Sequence, residues 1–244
     1  MAVSIIIPTL NEAEALPETL ACLNALKTPP FEIIVADAGS EDETVARAHQ
    51  AGAVVMSDLG RGRAGQMNAG ARAATGDILC FLHADTIVPA DFVPLCEQVL
   101  VDRATALAGF VSIMRGPKRV RRVTTAHNFI KTWYAPLFFR PVSFFKGARL
   151  LFGDQVMICR RDDFDAIGGW DPDQKIMEEA DLCLRMVRAG LGRVRQVPRK
   201  VWSSDRRVAE WGFWRANLTY LHVGLRWGFG APSERLVQHY EDVR

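Results

Sequence analysis

The chain has 244 residues, 49% of them hydrophobic, and a formal net charge of +2. That length buries one sizeable core and is short for two full domains, so a single domain with a tail is expected. The near-neutral balance favours no nucleic-acid partner, and no apolar run approaches the roughly 20 residues of a membrane-spanning helix.

Strands and helices alternate through the first hundred residues. Residues 1–4 lead straight into a strand over 3–8, so no secretory signal is expected. A helix follows over 12–25, with Leu16, Leu20 and Leu23 on one face, then a strand over 33–37. Ser40, with Glu43 three residues on, predicts an N-cap for a helix over 42–51 that Gly52 ends. A third strand over 53–57, a helix over 63–74 closed by Gly76 and a fourth strand over 78–82 complete a βαβαβαβ pattern, which argues for a doubly wound, mostly parallel α/β sheet.

Beyond residue 90 the pattern loosens. A helix over 90–102 and a strand over 106–114 precede a basic stretch in which Pro117, Pro136 and Pro141 interrupt amphipathic helices. A strand over 155–159, a turn at Gly168-Gly169-Trp170-Asp171-Pro172, an acid-headed helix over 178–189, a strand over 194–201 and a terminal helix over 210–226 follow. The apolar 211–227 stretch is expected to pack on the domain or on a second subunit as a homodimer. Five cysteines, Cys22, Cys80, Cys96, Cys159 and Cys183, make no C-x-x-C pair, so reduced thiols and a cytoplasmic location are expected.

Polar clusters stand where apolar strands stop, and ligands bind at that edge of a parallel sheet. Pro8-Thr9-Leu10-Asn11-Glu12 ends the first strand beside a helix N-terminus, where backbone N–H groups favour anions. After the second strand, Asp37 can accept hydrogen bonds from a base or ribose, Gly39 lets backbone approach a ligand, and Ser40 caps. The buried run Ile78-Leu79-Cys80-Phe81-Leu82 delivers His83-Ala84-Asp85, and Asp85 suits a divalent cation bridging phosphates. Glu178, Glu179 and Asp181 head a helix whose dipole accounts for one acid more readily than for three, so one is expected to act as a base.

Gly60-Arg61-Gly62-Arg63-Ala64-Gly65 matches G-x-G-x-x-G, but its arginines are bulky for a pyrophosphate cradle; Arg63 reads as a cation for a phosphorylated ligand or as a solvated loop residue. Between Arg103 and Arg149 there is no Asp or Glu, while ten Lys or Arg and eight aromatic residues occur there. That mixture suits an anionic substrate or an anionic lipid surface, against the alternative of core aromatics with solvated cations.

Taken in order, Val3 to Glu12, Asp37-Ala38-Gly39-Ser40-Glu41-Asp42-Glu43-Thr44, His83-Ala84-Asp85, Gly168-Gly169-Trp170-Asp171 and Glu178-Glu179-Ala180-Asp181-Leu182 resemble the family 2 glycosyltransferases of GT-A fold. Gly62-Arg63-Ala64, Gln66-Met67-Asn68-Ala69-Gly70, Gly153-Asp154-Gln155 and the tail from Ser233 to Tyr240 look more narrowly like a bacterial subgroup named for arsenosugar biosynthesis or selenodomain association. The resemblance implies one GT-A domain over 1–244, with a nucleotide-sugar half at 1–102, an acceptor half at 103–205 and a helical tail at 206–244.

It also implies inverting transfer from a nucleoside-diphosphate sugar, UDP- or GDP-linked, to a hydroxyl acceptor. The basic aromatic stretch, placed where such enzymes build the acceptor side, is expected to dock a lipid-linked or anionic acceptor, with the chain peripheral at the inner face of a membrane. Asp37 would hold the base, Glu12 would lie near the nucleoside, and Asp85 would bind Mn2+ or Mg2+. Pro8, Thr9, Leu10, Gly39, Ser40, Arg63, Gln66, Asn68, His83 and Ala84 would flank the donor. His83 departs from the family's D-x-D, and Glu179 stands in place of its catalytic Asp, with Glu178 beside it and Asp181 in reserve. Arg63 or an arginine from 140–149 would meet the leaving diphosphate. A sugar nucleotidyltransferase, a dinucleotide-dependent oxidoreductase and a non-catalytic nucleotide-sugar-binding protein remain as rival expectations.

Overall fold

A computed structural model describes residues 1–116 and 120–238, so Pro117, Lys118 and Arg119 of the basic stretch and His239 and Tyr240 of the tail motif lie outside the described residues. The first half contains β1 (Val3–Thr9), α1 (Leu16–Asn24), β2 (Glu32–Asp37), α2 (Thr44–Gln50), β3 (Val54–Met56), α3 (Arg63–Ala73) and β4 (Ile78–Phe81). β3, β2, β1 and β4 lie side by side and parallel. Their continuous apolar runs follow from coverage on both faces: Val3, Ile5 and Ile7 enter one core and Ile6 the other, as Ile78 and Cys80 alternate with Leu79 and Phe81. The register aligns Thr9 with Asp37 and Ile6 with Phe81, so the polar strand ends gather at one edge.

Two helix starts differ from expectation. α1 begins at Leu16 rather than near Glu12, because Pro17, which has no N–H, fits only in a first turn. Ser40 does not cap α2: its hydroxyl donates to the Asp37 carboxylate (2.5 Å) and accepts the Asn11 N–H (2.8 Å), a carboxylate being the stronger local acceptor. Asp42 instead accepts the Thr44 N–H at 2.9 Å as the chain enters the helix.

The second half comprises β5 (Thr86–Ile87), α4 (Phe92–Val101), β6 (Thr105–Arg115), α5 (Arg122–Phe139), α6 (Pro141–Phe145), a 3-10 turn at Gly153–Gln155, β7 (Met157–Arg160), α7 (Arg161–Ala166), α8 (Glu178–Arg188), β8 (Arg193–Ser204), α9 (Arg206–Trp211), α10 (Phe213–Gly228) and α11 (Ser233–Val237). The eight-stranded sheet has the order β3-β2-β1-β4-β7-β6-β8-β5. It is largely parallel, with β7 reversed against β4 and β6, and β5 reversed against β8.

Here too the details correct the expectation. Gln155 belongs to the turn rather than to a strand, because its side chain accepts the Phe152 N–H and donates to Thr132 Oγ1 (3.0 Å). Pro136 does not break α5; the Thr132 carbonyl it leaves without a helical partner accepts the Leu150 N–H at 3.1 Å. The terminal helix is split into α9 and α10 by Gly212, whose φ of 80° a side-chain-bearing residue resists. On β8, Pro198 and Arg199 are extruded between the pairs Phe110–Val197 and Val111–Lys200, a bulge that spares the missing proline donor.

One buried side chain ties the site edge together. Gln66 of α3 donates to the carbonyls of Thr9 and Ala36, each at 2.7 Å, where β1 and β2 end. Gln66→Leu leaves both acceptors dry, and urea denaturation should show a loss of about 1–3 kcal/mol; an unchanged midpoint would mean that these strand ends are held elsewhere.

Candidate active site

A cavity of about 210 Å³ opens where β1 and β4 end and where β8 runs into α9. Pro8, Glu12, Arg63, His83, Ala84, Asp85, Glu178 and Glu179 line it, so eight of the expected residues, far apart in sequence, converge. The other expected residues are not among those lining it. Leu10 is core. Asp37 is fully buried and receives the N–H groups of Gly39 and Ser40 and the hydroxyls of Thr9 and Ser40, so its carboxylate organises the loop, and Gly39 adopts φ 96° within it. Asn68 exchanges two hydrogen bonds with the Trp170 backbone, pinning the Gly168–Gly169 turn. Asp181 lies outside the cavity and pairs with Arg185 at 2.6 Å. Gly60, Gly62 and Gly65 do not line the cavity either.

Buried carboxylates and cations alternate across the cavity. One Arg206 nitrogen stands 3.0 Å from both Glu12 oxygens and 3.9 Å from Asp85. Arg63 reaches Glu178 at 3.3 Å and Glu179 at 3.5 Å. Burial, then the Glu178 carboxylate, pushes Glu179 up to about 7 against the pull of Arg63. Burial draws the Lys131 ammonium down to about 8, opposed by Asp154 and Glu179, and its Nζ sits 3.5 Å from the Phe152 ring centre. A carboxylate titrating near neutrality, in a cleft, has the property a general base requires.

Asp85 is held loosely. Its Oδ1 lies 3.5 Å from the hydroxyls of Thr86 and Ser203, and burial raises its pKa against the pull of Arg206 and of its own backbone N–H. Such an under-satisfied carboxylate fits a divalent cation. Among the described residues no three His, Cys, Asp or Glu cluster to hold a metal alone, so remaining ligands would be water or phosphate oxygens. His83 lines the same cavity, and its ring and Glu179 Oε1 both lie 2.5 Å from the point where a Cβ on Gly153 would sit. The turn that places Gly153 there is followed by Val156 at φ 50°, an unusual conformation for a β-branched residue.

Several lining residues escaped the sequence reading: Asn128 and Lys131 of α5, Asp154 as a lining group, Ser203 and Ser204 at the end of β8, and Arg206 and Arg207 of α9. The adjacent arginines at a strand-to-helix junction were the available signal. The arginines of 140–149 are not at the cavity. Arg140 donates to the carbonyls of Phe139 and Gly228, and Arg149 stacks on Trp133 and Phe144, because both helix ends nearby needed donors and aromatic cover.

The family model for glycosyl transferase family 2 matches residues 4–168, and the chain belongs to that family. It is 27% identical over 215 residues to the pre-mycofactocin glycosyltransferase of Mycobacterium tuberculosis, a match covering 84% of this chain and 43% of that protein. It is 28% identical over 197 residues to the PGL/p-HBAD biosynthesis glycosyltransferase of Mycobacterium bovis, covering 75% and 68%. The chain thus spans less than half the length of the first of these relatives. Among solved structures, a mannosyltransferase of Pyrobaculum calidifontis in complex with GDP-Man and Mn2+ superposes with a TM-score of 0.67 at 19% identity, covering 93% of this chain and 62% of that one. Glucosyl-3-phosphoglycerate synthase of M. tuberculosis, in complex with Mn2+, UDP and glucosyl-3-phosphoglycerate, gives 0.66 at 22% identity, covering 95% and 81%. The fold is the GT-A architecture.

Gly153 offers a test of the cavity wall that needs no substrate. Gly153→Ala would drive Cβ into the tips of the Glu179 and His83 side chains, displacing them and moving the imidazole resonances in NMR at little cost in stability, because side-chain tips can yield. Unchanged resonances would mean that the turn has room.

Proposed function

We propose that the chain transfers a sugar from a UDP- or GDP-linked donor to an acceptor hydroxyl by a single inverting displacement, with Glu179 as the base. The observation that carries this reading is Glu179 itself, a buried carboxylate raised to about 7 in the same cavity as Asp85, Glu12 and three lining arginines. Family membership supports the reaction class, and the complexes of the two fold relatives with GDP-Man or UDP and Mn2+ support the donor type and a metal.

In this reading Glu12 and the β1 edge take the nucleoside side, and Asp85 holds Mn2+ or Mg2+. Bound there, a divalent ion supplies positive charge to the leaving diphosphate. Arg206, paired with Glu12 and close to Asp85, would add positive charge beside the diphosphate. Arg63 keeps Glu178 and Glu179 apart in charge and orients Glu179. Glu179 accepts the acceptor hydroxyl proton as the oxygen attacks the anomeric carbon from the face opposite the diphosphate. Asp181, engaged by Arg185, is placed outside this path. The narrower bacterial subgroup is supported by its sequence motifs alone.

A base must be ionised to act, and the raised pKa of Glu179 places that ionisation near neutrality. With a panel of UDP- and GDP-sugars, kcat/KM should therefore climb as pH rises through about 7 and level off above it. Glu179→Gln should lose roughly 10²–10⁴-fold in rate together with that limb, while still binding UDP or GDP. Wild-type turnover by the Gln variant would remove Glu179 from the base role.

A further inference from the structure

α5 and α10 carry apolar residues that nothing among the described residues covers. On α10 they recur as Trp214, Leu218, Leu221, Leu225 and Phe229 just past its end, spaced four, three, four and four apart, which is one face of a helix. On α5, Val123, Ile130 and Leu137 repeat every seven residues with Trp133 between, again along one stripe. The tips are large and open: Phe138 is 73% exposed, Phe145 on α6 80%, Trp214 75% and Phe229 83%. Isolated surface apolar residues need no explanation, but aligned stripes on neighbouring helices do. The helices are joined at one end, where Arg140 donates to the Gly228 carbonyl and Phe139 meets Phe229 at 5.3 Å.

Charge says what covers them. No Asp or Glu occurs in α5, α6 or α10, whereas Arg122, Lys131, Arg140, Arg215 and Arg226 lie on or between them and Lys146 follows α6. Apolar stripes on helices that carry cations and no carboxylate suit a surface that is apolar inside and anionic outside. No helix among the described residues is long and apolar enough to cross a membrane, so contact would be made lying flat. A small apolar pocket of about 30 Å³ between α5 and α10 links this face to the chemistry. Leu221 and Leu225 belong both to its wall and to the exposed stripe, and Lys131, Phe152, Met177 and Tyr220 line both it and the catalytic cavity.

We infer that α5, α6 and α10 dock the protein on an anionic lipid surface, from which an acceptor hydroxyl carried on a lipid enters beside Lys131. The docking stands on the helices alone; the acceptor clause rests on the transfer reading. Flotation with vesicles of phosphatidylcholine, with and without phosphatidylglycerol, separates the two, since it requires no sugar transfer. The wild-type chain should co-float with phosphatidylglycerol vesicles at low salt, be released by added salt, and stay unbound on phosphatidylcholine alone. The triple variant Phe138→Ser, Phe145→Ser, Trp214→Ser should lose flotation while keeping its melting temperature and its binding of UDP or GDP. Should that variant fold poorly, Arg122→Glu with Lys146→Glu should weaken flotation by changing charge alone. Absence of co-flotation at low salt, or undiminished flotation of the variants, overturns docking. So does a wild-type dimer in light scattering that the apolar variant splits without any vesicle binding, because a second copy would then cover the face.

Discussion

Two arginines from distant parts of the chain hold together a set of carboxylates that would otherwise repel one another. Arg63, at the start of α3, faces Glu178 and Glu179; Arg206, at the start of α9, faces Glu12 and Asp85. At such spacings and partial burial, like charges interact by several kcal/mol, and removing one partner strands the other without solvent. Pairs of this kind add little net stability against an apolar alternative, but they fix which segments meet. Arg206 brings residues after β8 to the end of β1, so the helices that follow close one side of the cavity. Burial raises both Glu179, with the Glu178 carboxylate adding to it, and Asp85, against the pull of these arginines.

Cavity and exposed face share a logic of incomplete satisfaction. Elsewhere in the sheet edge polar groups are saturated: Asp37 receives four hydrogen bonds, and Gln66 and Asn68 spend their amides on backbone. These groups build a rigid rim to the site. Asp85, 3.5 Å from its two hydroxyl neighbours, and the exposed apolar stripes of α5 and α10 are less fully satisfied than that rim.

Much of this was legible in the sequence, for physical reasons that differ by region. The first four strands read clearly because each is buried on both faces and each ends in a polar cluster, so position along the strand equals position at the edge. The acids of α8 read clearly because three at one helix start exceed what the dipole explains. Less was visible where tertiary contacts decide. Pro136 looked like a breaker until the Leu150 N–H took up its orphaned carbonyl, and Ser40 looked like a cap until Asp37 took its hydroxyl. Apart from Arg63, the cavity arginines were missed for a similar reason. Those at 140 and 149 fall in the basic stretch but serve helix ends and aromatic rings, whereas Arg206 and Arg207 act from a tail with no periodic signal pointing to the site.

The claim on which the account turns is that Asp85 is a metal position completed by the nucleotide's phosphates. Electron paramagnetic resonance of Mn2+ measures it directly. Adding the protein with UDP or GDP should quench the aqueous Mn2+ signal well beyond nucleotide alone, and Asp85→Asn should restore it; equal quenching by wild type and variant would contradict the account.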